Sequence, residues 1–206
     1  YWKGRLGTEH PPTQLPADRP GPAVQRYDGA SYQIENVPEL TSKLKSLAKE
    51  QDVTLFMLLL AAFQILLYRY TGEGDLRIGM PVANRTRVET EGLIGFFVNT
   101  LVICIQLSGN LRVAEFLQRV KVEVLEAQSH QDLPFERLVE ALNPERSLAS
   151  HPLFQVVYNH QWRKYDVLHE LTDLRIDSLP YEGASTQFDL VLSTEEEAGQ
   201  VLASLT

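Results

Sequence analysis

The strongest pattern in the chain is an apolar run from Leu55 to Tyr70 that leaves almost no polar face. A helix that is apolar nearly all round is enclosed by its neighbours on most sides. Thr54 is suited to cap this helix, and Gly72 and Gly74 are suited to end it. The pattern therefore predicts a buried helix at the centre of the fold.

Three further helices are predicted because apolar residues recur in them at helical spacing. The first follows Asn36 as cap and has Leu40, Leu44, Leu47 and Ala48 at helical spacing. The second covers Val113–Gln128, and the third begins near Pro134 with Asp132 as cap.

Runs of β-branched and aromatic residues between turn residues predict five strands. They cover Leu76–Val82, Leu93–Leu107 as one long strand or two bent ones, Leu153–Tyr158, Leu174–Ile176 and Phe188–Leu192. The acidic run Glu195–Glu197 is interpreted as a solvated turn. Because helices and strands alternate irregularly, we expect an α/β fold, a two-layer sandwich with a mixed β-sheet.

The N-terminal part of the chain is marked by closely spaced prolines. Proline at this density prevents helix and favours extended chain. We therefore predict that residues 1–28 form a linker over a surface, with Tyr1, Trp2 and Leu6 as anchors, and that residues 29–206 form the folded unit.

Composition narrows the classes of partner. The net charge of −8 at pH 7 argues against a nucleic-acid surface, which is usually basic. The longest apolar stretch is shorter than the ~20 residues that a membrane span needs, and no secretory signal opens the chain. The single cysteine, Cys104, lies in an apolar run and is predicted to be a buried structural thiol. This cysteine usage fits a cytoplasmic location.

Motifs for phosphate, nucleophile or metal chemistry are missing from the sequence. It has neither a glycine-rich phosphate loop nor a GxSxG elbow. His151, His160 and His169 are nine residues apart, a spacing that matches no helix or strand period. We therefore predict no metal site and no cofactor bound directly by the chain.

Five short blocks, in one order along the chain, resemble those of nonribosomal peptide synthetase condensation domains. Residues 94–100 (IGFFVNT) resemble the IGxFVNT block, residues 130–136 (HQDLPFE) the HQDxPFE block, and Arg146-Ser147 with residues 151–156 (HPLFQV) the RxxSxxPLFQV block. Residues 15–20 (LPADRP) and 78–85 (IGMPVANR) are similar to the LPxDRPRP and GxPxANR stretches. Any one block would be a weak signal, and five in order are a strong one.

The resemblance implies a chloramphenicol acetyltransferase-like fold, in which two similar α/β lobes form a V around a tunnel. Donor and acceptor carrier domains present thioesters on phosphopantetheine arms from opposite sides, and the acceptor amine attacks the donor carbonyl. The implied partners are therefore the N-terminal lobe, two peptidyl carrier domains and an adjacent adenylation domain. Residues 1–28 become the inter-lobe linker and residues 29–206 the C-terminal subdomain, which we expect to be an excised piece, incomplete at its C-terminus.

The catalytic motif of the family, HHxxxDG, belongs to the N-terminal lobe, and its second histidine points at the reaction centre. No two histidines are adjacent in this sequence. A histidine in that position could act as base or stabilise the tetrahedral intermediate. We therefore predict no catalytic residue in this chain and no activity of the chain alone.

The predicted tunnel and interface residues are Asn99, Phe97, Asn84, Arg85, Tyr158 and His160. Asn99 has two open interpretations, because its amide could orient substrate or could satisfy a strand end. Either Tyr158 or His160 could face the tunnel from the late strand. The family also sets an arginine of this lobe against the aspartate of HHxxxDG, and Arg69, Arg77 and Arg85 are candidates for it.

Two other functions fit the same fold. One is an epimerization domain, which the FVNT block at residues 97–100 disfavours because epimerization domains diverge at that point. The other is a non-catalytic, condensation-like lobe that serves as a docking platform for carrier domains. The sequence upstream of Tyr1 separates these functions, since an intact HHxxxDG motif there supports catalysis.

Overall fold

The computed structural model describes residues 1–19, 24–34, 38–144, 147, 150–162, 185–197 and 199–206. The predicted cap Asn36, the predicted strand Leu174–Ile176 and Arg146 lie outside the described residues. Within them the elements are, in chain order, α1 (Trp2–Leu6), β1 (Tyr32–Ile34), α2 (Pro38–Glu50), α3 (Leu55–Thr71), β2 (Asp75–Val82), α4 (Val88–Glu91), β3 (Asn99–Gln106), α5 (Val113–Ser129), α6 (Phe135–Leu142), β4 (Val156–Trp162), β5 (Leu190–Glu197) and β6 (Gln200–Leu205).

The strands form one mixed sheet in the order β1-β6-β5-β4-β2-β3. The central strands β2, β4 and β5 run parallel, while β3 pairs antiparallel with β2, and β6 antiparallel with β5 and β1. Helices pack against this sheet, so the predicted α/β class with a mixed sheet is confirmed. The three parallel strands all end at the same side of the sheet, which we call the carboxyl edge.

The buried helix α3 forms as the sequence predicts. The Thr54 hydroxyl accepts a hydrogen bond from the Met57 backbone N–H at 3.2 Å, and Gly72 ends the helix in the left-handed region at φ 73°. Leu60 and Phe63 are almost fully buried, and burying a side chain of this size contributes roughly 1.5–3 kcal/mol. The helix therefore anchors the core between the sheet and α5.

A glycine permits the closest packing between the sheet and its aromatic cover. Gly79 lies in β2 opposite Val102 of β3 and Val157 of β4. A Cβ atom at this position would come within 2.3 Å of Cε2 of Phe154. The Phe154 ring, which is 1% exposed, thus lies directly on the backbone of the strand.

The first residues are helical, whereas the sequence predicted extended chain. The prolines begin only at Pro11, so residues 2–6 are free to form α1. Trp2 and Leu6 are buried as predicted. The buried Arg77 guanidinium donates to the carbonyl of Leu6 at 3.2 Å and to that of Glu9 at 2.7 Å. The start of the predicted linker is therefore packed against this unit.

Several predicted strand boundaries are wrong. The strand predicted at Leu153–Tyr158 is Val156–Trp162, and the strand predicted at Phe188–Leu192 is Leu190–Glu197. β3 begins at Asn99 and not at Leu93, because residues 93–98 lie outside the sheet. The acidic run Glu195–Glu197 is the end of β5 and not a solvated turn. Strands β1 and β6 were not predicted, although β6 is what places the end of β5 inside the sheet.

Among the described residues, no single helix has the length and apolar character to cross a membrane. Only α2 and α3 counted together reach both, and the pair is bent by 102°.

Candidate functional site at the carboxyl edge of the sheet

Most of the predicted site residues meet at the carboxyl edge of the sheet. Asn84 and Arg85 follow the end of β2, and Asn99 begins β3 opposite Val82. His160 lies near the end of β4. In open α/β sheets, ligands bind outside the carboxyl ends of the parallel strands, so this edge is the candidate site.

Arg85 organises the loop that crosses this edge. Its guanidinium donates to the Thr90 carbonyl and, at 3.4 Å, to the Gly95 carbonyl. The same group lies 4.4 Å from the centre of the Phe97 ring, a cation–π contact. Asn84 turns the chain ahead of it with φ 51°, a left-handed conformation that asparagine tolerates. Arg85 and Phe97 are therefore brought together as a clamp on the loop.

Of the three arginines considered for contact with the other lobe, Arg85 alone lies at the carboxyl edge. Arg77 is buried near the start of β2, where it also contacts the His10 ring at 2.5 Å. Arg69 is exposed in the last turn of α3, which leads into the start of β2 at the opposite end of the sheet.

Residues 93–98, which we call the apolar loop, point four large side chains into solvent. Ile94 and Phe96 are at least nine-tenths exposed, and Leu93 and Val98 are about half exposed. The sequence prediction placed these residues inside a sheet because their composition is that of a buried strand. Contiguous apolar exposure of this kind marks an interaction surface.

Asn99 is buried and fully engaged within the protein. Its amide nitrogen donates to the carbonyls of Gln131 and Leu133 at 2.8 and 2.9 Å. Its amide oxygen accepts from the Phe135 backbone N–H at 3.0 Å. Asn99 therefore caps α6 from 36 residues away, and the predicted cap Asp132 makes no capping bond because Pro134 holds the N-cap position. These hydrogen bonds support the interpretation that the Asn99 amide satisfies backbone groups, rather than the one in which it orients substrate.

Residues 130–134, which we call the connecting loop, also bind the N-terminus of the chain. The Tyr1 ring stacks on the His130 ring with centroids 4.0 Å apart and planes 10° apart. The Trp2 indole N–H donates to the His130 carbonyl at 3.1 Å. Both contacts escape sequence reasoning, since nothing local signals a pairing across 128 residues.

Tyr158 and His160 share the face of β4 that is turned toward α3. Both rings lie within 6 Å of the Phe56 ring, and Tyr158 is fully buried. The Thr194 hydroxyl lies 2.9 Å from the Tyr158 hydroxyl and 2.7 Å from His160 Nδ1. Within the described residues Tyr158 is a core residue, so the idea that it faces a tunnel is not supported. The exposed Trp162, at the end of the same strand, was not singled out from the sequence.

His160 belongs to a short chain of charged groups. Its Nε2 lies 3.4 Å from one carboxylate oxygen of Glu196, whose other oxygen lies 2.8 Å from Lys45 Nζ on α2. Burial lowers the pKa of His160, although the Glu196 carboxylate acts in the opposite direction. These contacts explain why the acidic end of β5 is ordered, because α2 and β4 supply its partners.

The described part of the chain has no candidate metal site, and its one cysteine is buried. No group of three or more histidine, cysteine or acidic residues is placed there so that it could hold a metal ion. Cys104 is buried, as predicted, with its Sγ 2.9 Å from an Asp75 carboxylate oxygen. Burial, followed by this carboxylate, raises the pKa of the Cys104 thiol to about 12.

Known proteins match this chain along nearly its whole length. A family model described as Condensation domain matches residues 1–205. The chain is 49% identical over 209 residues to a linear gramicidin synthase from Brevibacillus parabrevis, and the match covers 99% of the chain and 4% of that protein. The fold matches a four-domain nonribosomal peptide synthetase solved in its holo form with AMP and glycine, with a TM-score of 0.88 and 30% identity over 99% of this chain and 17% of the other.

A second solved structure shows how much of a condensation domain this chain spans. The condensation domain of the Monacolin K polyketide synthase MokA matches with a TM-score of 0.86 and 21% identity, a likeness in fold alone. All of this chain is covered, and 50% of that domain. The chain thus spans a small part of its synthase relative and half of a solved domain.

Proposed function

The chain belongs to the condensation-domain family, and from this premise we propose that it is the C-terminal half of a domain that joins two carrier-bound substrates by an amide bond. The observation that carries the proposal is the family match along residues 1–205. Two further facts support it: a relative at 49% identity is named a gramicidin synthase, and a nonribosomal peptide synthetase shares the fold at 30% identity.

The proposed reaction is the aminolysis of a thioester. The amine of the acceptor aminoacyl group forms a bond to the carbonyl carbon of the donor acyl or peptidyl thioester. The carbon–sulfur bond breaks, and the phosphopantetheine thiol of the donor carrier leaves with the proton that the amine gives up. Both phosphopantetheine arms enter as parts of the substrates, so the chain needs no resident cofactor.

The role of this half is to form one wall of the reaction channel. The proton-handling histidine belongs to the other half, in the HHxxxDG motif that the family resemblance implies. In the described part of this half, the His160 ring lies against Phe56 of α3, and the His130 ring is stacked on Tyr1. We therefore propose that the chain alone forms no amide bonds.

The apolar loop is the surface that we assign to the other half. Ile94 and Phe96 present large apolar side chains to solvent, and Arg85 holds the loop behind them. Because these side chains are at least nine-tenths exposed, a partner that covers them removes apolar surface from water, and this stabilises the contact. A second half of about equal length is what the comparison with a complete domain supports.

The proposed activity is tested by a reconstituted condensation assay. The complete domain is mixed with a donor and an acceptor carrier, each loaded with its thioester, and the dipeptidyl product on the acceptor is measured by mass spectrometry. We expect product from the complete domain and none from residues 1–206 alone. Absence of product from a folded complete domain with all natural carrier pairs would refute amide formation and favour the docking platform.

The proposed contact surface is tested by sedimentation of the chain itself. We expect residues 1–206 to self-associate through the apolar loop and the double variant Ile94→Ser, Phe96→Ser to sediment more slowly. The matched control is Val113→Ser, since Val113 is also more than half exposed but lies at the start of α5. A monomeric parent chain, or an equal effect of the control, would remove the loop from the interface.

The remaining partners follow from the same proposal. Donor and acceptor carrier domains and an adjacent adenylation domain are the neighbours expected of a synthetase module, and the location proposed for it is the cytoplasm. The matched segment is only 4% of the synthase relative, which leaves room for such domains.

A further inference from the structure

We propose that Asn99 is a positioning residue that joins the apolar loop, the connecting loop and helix α1 into one rigid platform for the other half of the domain. This inference rests on the proposed function, because it concerns how the two halves are held for the reaction. It assigns to Asn99 an indirect role, without contact to substrate.

The first step is that both N–H donors of the Asn99 amide, and its oxygen, already have partners within the protein. Both amide N–H groups donate, to the carbonyls of Gln131 and Leu133, and the amide oxygen accepts from the N–H of Phe135. An asparagine amide has two donors, so none is left for a substrate. With only 8% of the residue exposed, these bonds are largely shielded from water.

The second step is the attachment of the N-terminus to the same loop. Trp2 donates its indole N–H to the carbonyl of His130, the residue immediately before Gln131. The Tyr1 ring stacks on the His130 ring at 4.0 Å. Because Trp2 is also buried, α1 and the connecting loop hold one another in place.

The third step is the direct covalent continuity with the apolar loop. Asn99 follows Val98, and its position in β3 is fixed by pairing with Val82 of β2. At the other end of the loop, Arg85 binds the carbonyls of Thr90 and Gly95. The apolar loop therefore has a clamp at each end, and the clamp at Asn99 is shared with the connecting loop.

The consequence concerns the geometry of the complete domain. The apolar loop is the surface proposed to meet the other half, and Asn99 sets its position relative to the connecting loop and, through that loop, to α1. When a contact far from the reacting atoms sets the approach of two walls, a shift of about 1 Å can lower turnover by roughly a hundredfold. Asn99 then acts on kcat rather than on the affinity for carriers.

The test compares Asn99→Ala with Gln155→Ala in the complete domain. Gln155 is a matched control because it is also a buried amide with two hydrogen bonds to backbone, to Thr13 N–H and His151 carbonyl, but lies at the opposite end of β4. Amide hydrogen exchange is measured in three segments: residues 1–6, 94–98 and 131–135. Condensation rates are measured with two loaded carriers.

We expect Asn99→Ala to speed exchange in all three segments by about tenfold, since three hydrogen bonds are lost. We also expect kcat to fall by roughly ten- to a hundredfold, with KM for both carriers within about twofold of the parent. Gln155→Ala should leave kcat and the exchange of these segments unchanged. Should Asn99→Ala fail to fold, Asn99→Asp takes its place, because it keeps the oxygen that accepts from Phe135 and loses both donors.

Three outcomes overturn the inference. Faster exchange in residues 131–135 alone reduces Asn99 to a local cap. A raised KM with unchanged kcat makes it a substrate contact. A parent-like kcat in an exchange-perturbed variant removes it from the reaction altogether. Failure of the proposed function is separate, because then the parent domain itself forms no amide, while the exchange data still report on the platform.

Discussion

The contact between Gly79 and Phe154 predicts a specific loss of stability on Gly79→Ala. The added Cβ would lie 2.3, 2.7 and 2.8 Å from Cε2, Cζ and Cδ2 of Phe154. Ordinary carbon–carbon contacts are about 3.5–4.0 Å, so the ring must move by roughly 1 Å. The rings of Phe135, His151 and Phe188, at 5.4, 4.6 and 5.5 Å between centroids, restrict that movement.

Overpacking of a filled core costs about 1–3 kcal/mol, and alanine recovers roughly 0.4–1 kcal/mol of chain entropy relative to glycine. We therefore expect Gly79→Ala to lower the free energy of unfolding by about 1–2 kcal/mol. The measurement is urea unfolding of the chain followed by circular dichroism, with a lower midpoint and an unchanged slope. The matched control is Gly4→Ala, where no atom lies within 4 Å of the added Cβ, and there we expect no loss.

A double-mutant cycle identifies the cause. Phe154→Leu alone should destabilise the chain because it leaves a cavity, but in the Gly79→Ala background it relieves the clash. The combined loss should then be smaller than the sum of the single losses, by about 0.5–3 kcal/mol. Equal midpoints for Gly79→Ala and the parent, or strictly additive losses, would refute the packing argument.

Three further predictions come from buried polar groups. Gln64 is fully buried, and neither amide atom has a hydrogen-bond partner among the described residues, so Gln64→Met should raise the free energy of unfolding by about 1–3 kcal/mol in urea titrations. Burial lowers the pKa of His10, His151 and His160, so the unfolded chain binds more protons than the folded chain just below pH 6.5. The stability that these histidines contribute should therefore be fully present above that pH and should fall as the pH drops through their folded pKa values. Thermal melts between about pH 7 and 5 measure this loss. The Cys104 thiol, with its pKa raised to about 12, should resist a thiol-specific disulfide reagent at about pH 8 until the chain is unfolded in guanidinium.

Each of these predictions has a clear contrary result. A less stable Gln64→Met variant would mean that the amide has a partner beyond the described residues. A melting temperature that rises as the solution is acidified over that range would contradict burial of neutral histidines. Rapid labelling of the native chain would place Cys104 within reach of solvent.

Local signals explain the parts of the fold that the sequence predicted. The helix α3 was predicted because its cap Thr54 and its end at Gly72 lie within the helix sequence itself. The same holds for α5, whose buried residues Phe116 and Val120 recur at helical spacing.

Non-local contacts account for the errors. Asp132 was predicted to cap α6, but the cap comes from Asn99, which lies on another strand. Glu196 was assigned to a turn because Lys45 and His160, its partners, are distant in sequence. The apolar loop was assigned to the sheet because it contains residues such as Ile94 and Phe96. Apolar residues of this kind occur both in a protein core and on a surface that another part of a protein covers.

The sequence pointed to Arg85 and Asn99 but not to the contacts that their side chains make. Arg85 and Asn99 lie at the same edge of the sheet, and their place in a tunnel stays a prediction. The sequence could not reveal that both side chains donate to backbone carbonyls, since a backbone carbonyl leaves no mark in the pattern of residue types.

Because β3 lies at one end of the strand order, helix α1 covers an edge of the sheet. Among the described strands β3 has a neighbour on one side only, and Arg5 of α1 donates to the Cys104 carbonyl on the other side. An uncovered, flat and apolar outer strand is a template for strands of other molecules and thus for aggregation. Recombinant versions of this unit should therefore retain residues 1–7, because a boundary placed after Gly7 would remove α1 and leave this side of β3 open to pairing with other copies of the chain.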